Sequence, residues 1–214
     1  MSNDEFYLSH DTGRLVDDIL VMFIAGMETI QISTTNVIQH LIEEPDMKKR
    51  LLDETEAVLL EAEKTNLVEG LTAEMVENFN FTRNCFYEAL RMDAPTSVSG
   101  AASFSEDVKI GKVNFTKDIG FTLMIFLMHM DPDEWIFPKQ FLPDRFDSNS
   151  EYYLRPDQTK RSPLTFNPFL GGKRVCLGKS FAEITVRHTL PLLYHFLNFE
   201  FAEANQKYTP LHMG

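Results

Sequence analysis

Apolar positions at Leu15, Ile19, Met22, Gly26, Ile30, Val37 and Leu41 recur at helical spacing, so residues 14–43 read as one long helix. Asp11 and Thr12 offer N-caps, and Pro45 stops the run. A helix of this length is expected to cross the core. Residues 45–63 give a second, charge-rich amphipathic helix, and 72–92 give two more: a short acidic one, then FTRNCFYEALRM. Over residues 95–120, Val, Ile, Phe and Thr runs alternate with Gly, Ser and Asp, which predicts short strands and hairpins. A helix is expected at 121–130, ending at Asp131-Pro132. Residues 131–175 are rich in Pro, Asp and Asn and have no period; a long irregular segment inside a domain is usually functional or strapped down. A last helix is predicted at 177–196, and FEFAEANQKYTP is expected to add one strand. The fold class is mainly α with a minor β portion.

The chain has 214 residues, 43% of them hydrophobic, enough for one ordinary core. Its formal net charge of −12 sits in residues 1–80, which hold 17 Asp/Glu against 5 Lys/Arg. Residues 81–214 hold 15 of each. An acidic chain argues against nucleic-acid binding. Residues 155–188 reverse the balance, with seven Lys/Arg against two acids. They read either as a solvated loop or as a docking patch for an acidic partner. Two cysteines make no disulfide framework, and no Cys/His cluster has zinc spacing. The N-terminus MSNDEFYLSHD is polar and acidic, neither a signal peptide nor an anchor. The stretches ILVMFIAGM and IGFTLMIFLM are too short to span a bilayer, so this chain is expected to have no membrane segment.

The most informative stretch is FLGGKRVCLG, residues 169–178. Phe169, Gly172, Arg174, Cys176 and Gly178 fit Phe-x-x-Gly-x-Arg-x-Cys-x-Gly, a pattern met by chance in roughly one of ten million windows at average residue usage. A single cysteine stands at the mouth of an apolar helix, residues 178–197. There the unpaired N–H groups and the helix dipole favour a negative sulfur. Such a thiolate suits axial ligation of haem iron, where it pushes electron density toward O–O cleavage. Gly172 allows a tight turn. Gly178 leaves no side chain where a porphyrin face would lie, and Arg174 can pair with a propionate. Cys85 then remains a small core residue on a helix. The competing reading is a buried structural cysteine after a glycine loop.

This loop resembles the cysteine-ligand loop of the cytochrome P-450 haem-thiolate monooxygenases. Three further motifs follow the family's order. Glu88-Ala89-Leu90-Arg91 places an acid and a base on one helix face. The resemblance implies that Glu88 and Arg91 are buried and joined by Arg145, from Phe141-Leu142-Pro143-Asp144-Arg145-Phe146, in a structural network. The segment His129–Pro138, with Trp135, is similar to the family's helix-to-loop passage. In the long helix, Ala25-Gly26-Met27-Glu28-Thr29 is similar to the segment that bends beside the haem. Ala25 and Gly26 would then adjoin the cofactor. Thr29 would hydrogen-bond during oxygen activation, and Glu28 would help relay protons. The alternative is that Gly26 marks close helix packing and Thr29 back-bonds to its own helix. Ile30 departs from the second hydroxyl residue often seen there. Ser99–Phe104 lacks the arginine that family members carry in that strand, so propionate pairing leans on Arg174.

The resemblance implies one single domain of which residues 1–214 are the C-terminal portion, the N-terminal half being absent. It implies thiolate-ligated haem on Cys176, with Phe169, Gly172, Arg174 and Gly178 around it. It also implies insertion of one atom of O2 into a lipophilic substrate lined by Ala25, Val98 and Ser99. No Gly-rich nucleotide loop is present, so electrons would come from a separate reductase or ferredoxin docking near residues 155–188. Full-length eukaryotic relatives are usually anchored in the endoplasmic reticulum by an N-terminal segment that this sequence lacks. The rival readings are a truncated, inactive haem-binding fragment, and a haem-thiolate isomerase or dehydratase without an external donor. The pair Glu28-Thr29 argues for the monooxygenase. Without the segments that normally precede it, the long helix is expected to expose Phe23 and Ile30 or their neighbours.

Overall fold

Pro45 both ends one helix and opens the next, because its missing N–H costs nothing in a first turn. In the computed structural model, which describes residues 12–64, 71–203 and 206–210, helix α1 spans Thr12–Glu43 and α2 spans Pro45–Lys64. Asp11, expected as an N-cap, lies outside the described residues. The short helix α3 (Ala73–Val76) is capped by the Thr72 hydroxyl, which accepts from the Met75 N–H at 3.3 Å. Helix α4 (Asn80–Asp93) begins at Phe79, which offers no side-chain cap. Glu54 of α2 supplies one instead. Its carboxylate accepts from the N–H groups of Phe81 (2.6 Å) and Thr82 (2.9 Å).

Helix α4 is the centre of the molecule. Its Cys85, Phe86, Ala89 and Leu90 pack with Val37 and Leu41 of α1, Leu51 of α2, Phe141, and Val186, Leu190 and Tyr194 of the last helix, α6 (Lys179–Phe196). The long helix crosses this core only with its second half. Burial begins at Ile32, and upstream Phe23 and Met27 are 70% and 69% exposed. Ile30, expected among the exposed positions, instead packs against the core.

The β portion is small. Strands β1 (Val108–Ile110) and β2 (Val113–Phe115) form an antiparallel hairpin in register Val108↔Phe115, turned at Gly111 with φ +59°. Isolated bridges pair Val98 with Met124 and Ala102 with Phe121. These bridges correct the expected 121–130 helix. Phe121 exchanges both backbone bonds with Ala102, so its peptide groups are taken, and α5 is confined to Ile125–His129. Residues 131–175 are irregular with 3-10 turns at Pro143–Phe146, Glu151–Tyr153 and Gly172–Arg174. The tail strand does not form among the described residues. The N–H groups of Tyr208 and Thr209 bond the side chains of Glu43 and Gln39 instead, at 2.7 and 3.2 Å. No helix of the described residues is long and apolar enough to cross a membrane.

Candidate functional site

The cysteine loop is a tight reversal held by its own backbone. Leu170 and Gly172 both take positive φ, at 58° and 65°. Only glycine adopts such a backbone without strain, which accounts for Gly172. The turn closes where the Leu170 N–H donates to the Asn167 carbonyl at 3.1 Å and the Cys176 N–H donates to the Phe169 carbonyl at 2.9 Å. Phe169 packs against the core and fixes the loop from below. The Lys179 N–H meets the Cys176 carbonyl at 3.4 Å, so the cysteine stands at the mouth of α6.

The thiol of Cys176 is free and exposed, whereas Cys85 is free and buried. Burial pushes the Cys85 thiol well up and keeps it inert. A Cβ added at Gly178 would meet only the Cys176 sulfur, at 3.9 Å. The glycine therefore leaves the face above the sulfur clear. Around it stand exposed apolar side chains: Val175, Phe181, Ile184 and Leu177, the last 83% exposed. Arg174 is exposed and forms no ion pair among the described residues. A sulfur donor, a clear face, an apolar surround and the exposed Arg174 guanidinium fit a flat, largely apolar, anionic group such as haem.

Behind the loop lies a buried charge cluster. Glu88, Arg91 and Arg145 have no exposed surface. Arg91 donates to both Glu88 oxygens at 2.8 Å, and its Nη1 donates to the His129 carbonyl at 2.8 Å. Arg145 donates from Nε to Glu88 at 3.0 Å, although the two lie 57 residues apart. Its other nitrogens bond the carbonyls of Ile136 and Phe137. Glu88 also accepts the Leu142 N–H at 2.9 Å. One carboxylate therefore faces two guanidiniums, and backbone carbonyls supply the remaining solvation. Burial holds Arg145 below its usual range despite Glu88. The cluster binds α4 to the irregular segment, which explains how a stretch without periodicity keeps one shape.

Sequence reasoning gave no role to three neighbours. His129 accepts the Asn167 N–H at 3.0 Å. Tyr87 donates to Glu183 of α6 at 2.7 Å, and its ring meets Phe166 at 5.4 Å beneath the loop. A cavity of about 140 Å³ lies there between Tyr87, Phe169, Lys179 and Glu183. Arg161, read only as part of a basic patch, is turned inward. It donates to the Arg145 carbonyl at 2.7 Å and covers the Trp135 ring at 4.6 Å. Burial, then the nearby Arg145, pushes it down to about 10. The position of His129 in the motif with Trp135 was the one available signal.

The basic patch is accordingly smaller than its composition suggests. Of its seven cations, Arg155 pairs with Glu134, Arg187 with Glu77 and Lys179 with Glu183, while Arg161 is half-buried on carbonyls. Lys160, Lys173 and Arg174 remain unpaired among the described residues. In the long helix, Glu28 is exposed and the Thr29 hydroxyl donates to the Ala25 carbonyl at 2.7 Å. The open space around Gly26 shows no close helix neighbour there. The Ser99 N–H bonds the Leu123 carbonyl, and the Ser99 hydroxyl accepts from the Leu123 N–H, beside the Val98–Met124 bridge. No hydrogen bond or ion pair among the described residues joins the Ala25–Thr29 motif to the cysteine loop. A wider depression of about 490 Å³, lined by Arg50, Phe81, Asp144 and Tyr153, contains none of the residues given a haem, substrate or proton-relay role from the sequence.

Residues 4–213 match the cytochrome P450 family. The chain is 28% identical to cytochrome P450 4d2 of Drosophila melanogaster over 84% of its own length and 34% of that protein. It is 30% identical to cytochrome P450 716A1 of Arabidopsis thaliana, over 80% of the chain and 33% of the relative. It is 27% identical to costunolide synthase of Cichorium intybus, over 83% and 34%. The chain thus spans about a third of the length of these curated relatives.

Proposed function

Because the chain belongs to the cytochrome P450 family, we propose that it serves a haem-thiolate monooxygenase, with Cys176 as the residue whose sulfur would hold the haem iron. The observation that carries this reading is the exposed Cys176 sulfur beside the clear face of Gly178, on a loop pinned to Phe169. Haem held there supplies the activation of O2 by which one oxygen atom enters a lipophilic substrate and the other leaves as water. The chain's own residues have separate tasks. Phe169 and the turn at Gly172 hold the sulfur at the mouth of α6. Arg174 pairs with a propionate. Glu88, Arg91 and Arg145 fix the segment that leads into the loop.

Glu28 and Thr29 manage protons from α1. The Thr29 hydroxyl can turn from the Ala25 carbonyl to donate toward the reaction side, and Glu28, exposed, exchanges protons with water. Ala25, Val98 and Ser99 line the substrate side. Lys160 and Lys173, unpaired among the described residues, form the docking point for an acidic reductase or ferredoxin.

The difference spectrum of the reduced, haem-loaded protein with carbon monoxide tests the ligand. The Soret band should have the thiolate position, Cys176→Ala should abolish it, and Cys85→Ala should leave it. An unchanged spectrum in the Cys176 variant would end the proposal.

A further inference from the structure

His129 touches the charge cluster with one end and the cysteine loop with the other. Its carbonyl accepts from Arg91 Nη1 at 2.8 Å, and its ring nitrogen Nε2 accepts from the Asn167 N–H at 3.0 Å. Asn167 is the first residue of the turn that Leu170 closes, and the next closure is the Cys176 N–H on Phe169. The ring is fully buried and lies 5.3 Å from that of Phe166. We propose that His129 is a positioning residue for Cys176, its neutral imidazole holding the base of the cysteine loop to the Glu88–Arg91–Arg145 cluster.

The chemistry fixes the tautomer. An N–H donates to Nε2, so Nε2 carries no proton and Nδ1 carries it. Nδ1 faces the Leu90 and Arg91 carbonyls without a well-aligned partner among the described residues. A second proton would put N–H against N–H at Asn167 and add a cation beside Arg91. Burial and the Arg91 guanidinium hold the imidazole down to about 4, so it remains an acceptor at neutral pH. A carboxamide could accept the same N–H, whereas an aliphatic side chain could not.

The proposal rests on Cys176 being the haem ligand, and its test separates the two claims. In the full polypeptide without haem, labelled with nitrogen-15, a scalar coupling between the Asn167 amide nitrogen and His129 Nε2 should be resolved. Absence of that coupling overturns the proposal even if no variant folds. His129→Leu should speed exchange of the Asn167 amide proton by roughly tenfold or more, the loss of one net hydrogen bond. It should also shift the carbon monoxide spectrum of the haem-loaded form away from the thiolate position. His129→Gln should restore both. A His129→Leu protein that keeps the thiolate spectrum overturns the positioning role. A His129→Gln protein as impaired as His129→Leu overturns the acceptor role in favour of packing alone. Cys176→Ala should lose the thiolate spectrum while Asn167 stays protected. If it keeps that spectrum, the ligand reading fails and the amide data still judge the bond to His129.

Discussion

Glu88 neutralises one of two guanidiniums that have no contact with water, and its removal leaves both uncompensated. Taking one member from a buried charge network costs about 3–5 kcal/mol. Glu88→Ala should therefore lower the denaturation midpoint of the protein sharply and prevent stable haem incorporation. Equilibrium urea unfolding measures the cost, and a loss under about 1 kcal/mol would mean that the carbonyls of His129, Ile136 and Phe137, with that of Gln140, which both arginines reach at 3.3 Å, already solvate the two guanidiniums. His129 gives a second effect at single-residue scale. Its folded value, down to about 4, lies below the ordinary histidine value of 6.5. The unfolded chain thus takes up a proton that the folded one refuses. Stability from this group is complete above about pH 6.5 and is lost as the pH falls from there toward 4, by at most roughly 3 kcal/mol. Urea midpoints between pH 7 and pH 4.5 should fall more steeply in wild type than in His129→Gln, which cannot titrate. Equal slopes would show that the ring does not remain neutral in the fold.

At the scale of elements, α1 divides into a packed half that carries Val37 and Leu41 and a bare half that carries Glu28. Thr29 lies at the junction, its hydroxyl returned to the Ala25 carbonyl. In a haem-loaded, donor-coupled enzyme, Thr29→Ala should leave the thiolate spectrum unchanged and divert electrons into peroxide. The ratio of product formed to reduced cofactor consumed measures this, and a ratio equal to wild type would leave Thr29 as a helix residue only. The helices were legible because their signal is local: apolar spacing, Pro45, and the change of character from residue 95. The start of α5 was not, since Ala102 captures the backbone of Phe121 from nineteen residues upstream, as their pairing shows. The Glu54 cap on α4 was invisible for the same reason, as it joins residues 27 apart. The loop around Cys176 could be read residue by residue. Its support could not: the meeting of Glu88 with Arg145 came only from family resemblance, and the bond from Asn167 to His129 came from neither. Local periodicity has no term for a contact between distant segments.

The whole molecule presents two unlike surfaces. The core cluster and the charge network both gather around α4, while α1 from Leu15 to Met27 shows Val21, Phe23, Ile24 and Met27 to solvent. A helix apolar on all sides is normally buried, and contiguous apolar patches of more than a few hundred Å² drive association. The charges on this half are few: Arg14, Asp17, Asp18 and Glu28. They do not interrupt the run from Ile19 to Met27. The net charge of −12 opposes assembly at low salt and does so less as salt screens it. The polypeptide of residues 1–214 should therefore self-associate, more strongly at 0.5 M than at 0.05 M salt, the screening length shrinking from about 14 Å to about 4 Å. Sedimentation velocity across that range measures it. Phe23→Glu with Met27→Lys, both at exposed positions that leave the core untouched, should shift the distribution toward the monomer. If the double variant sediments like the unaltered chain, the bare half of α1 is not the associating surface. The next apolar exposure to change would then be the one around the thiol, at Leu177 and Phe181.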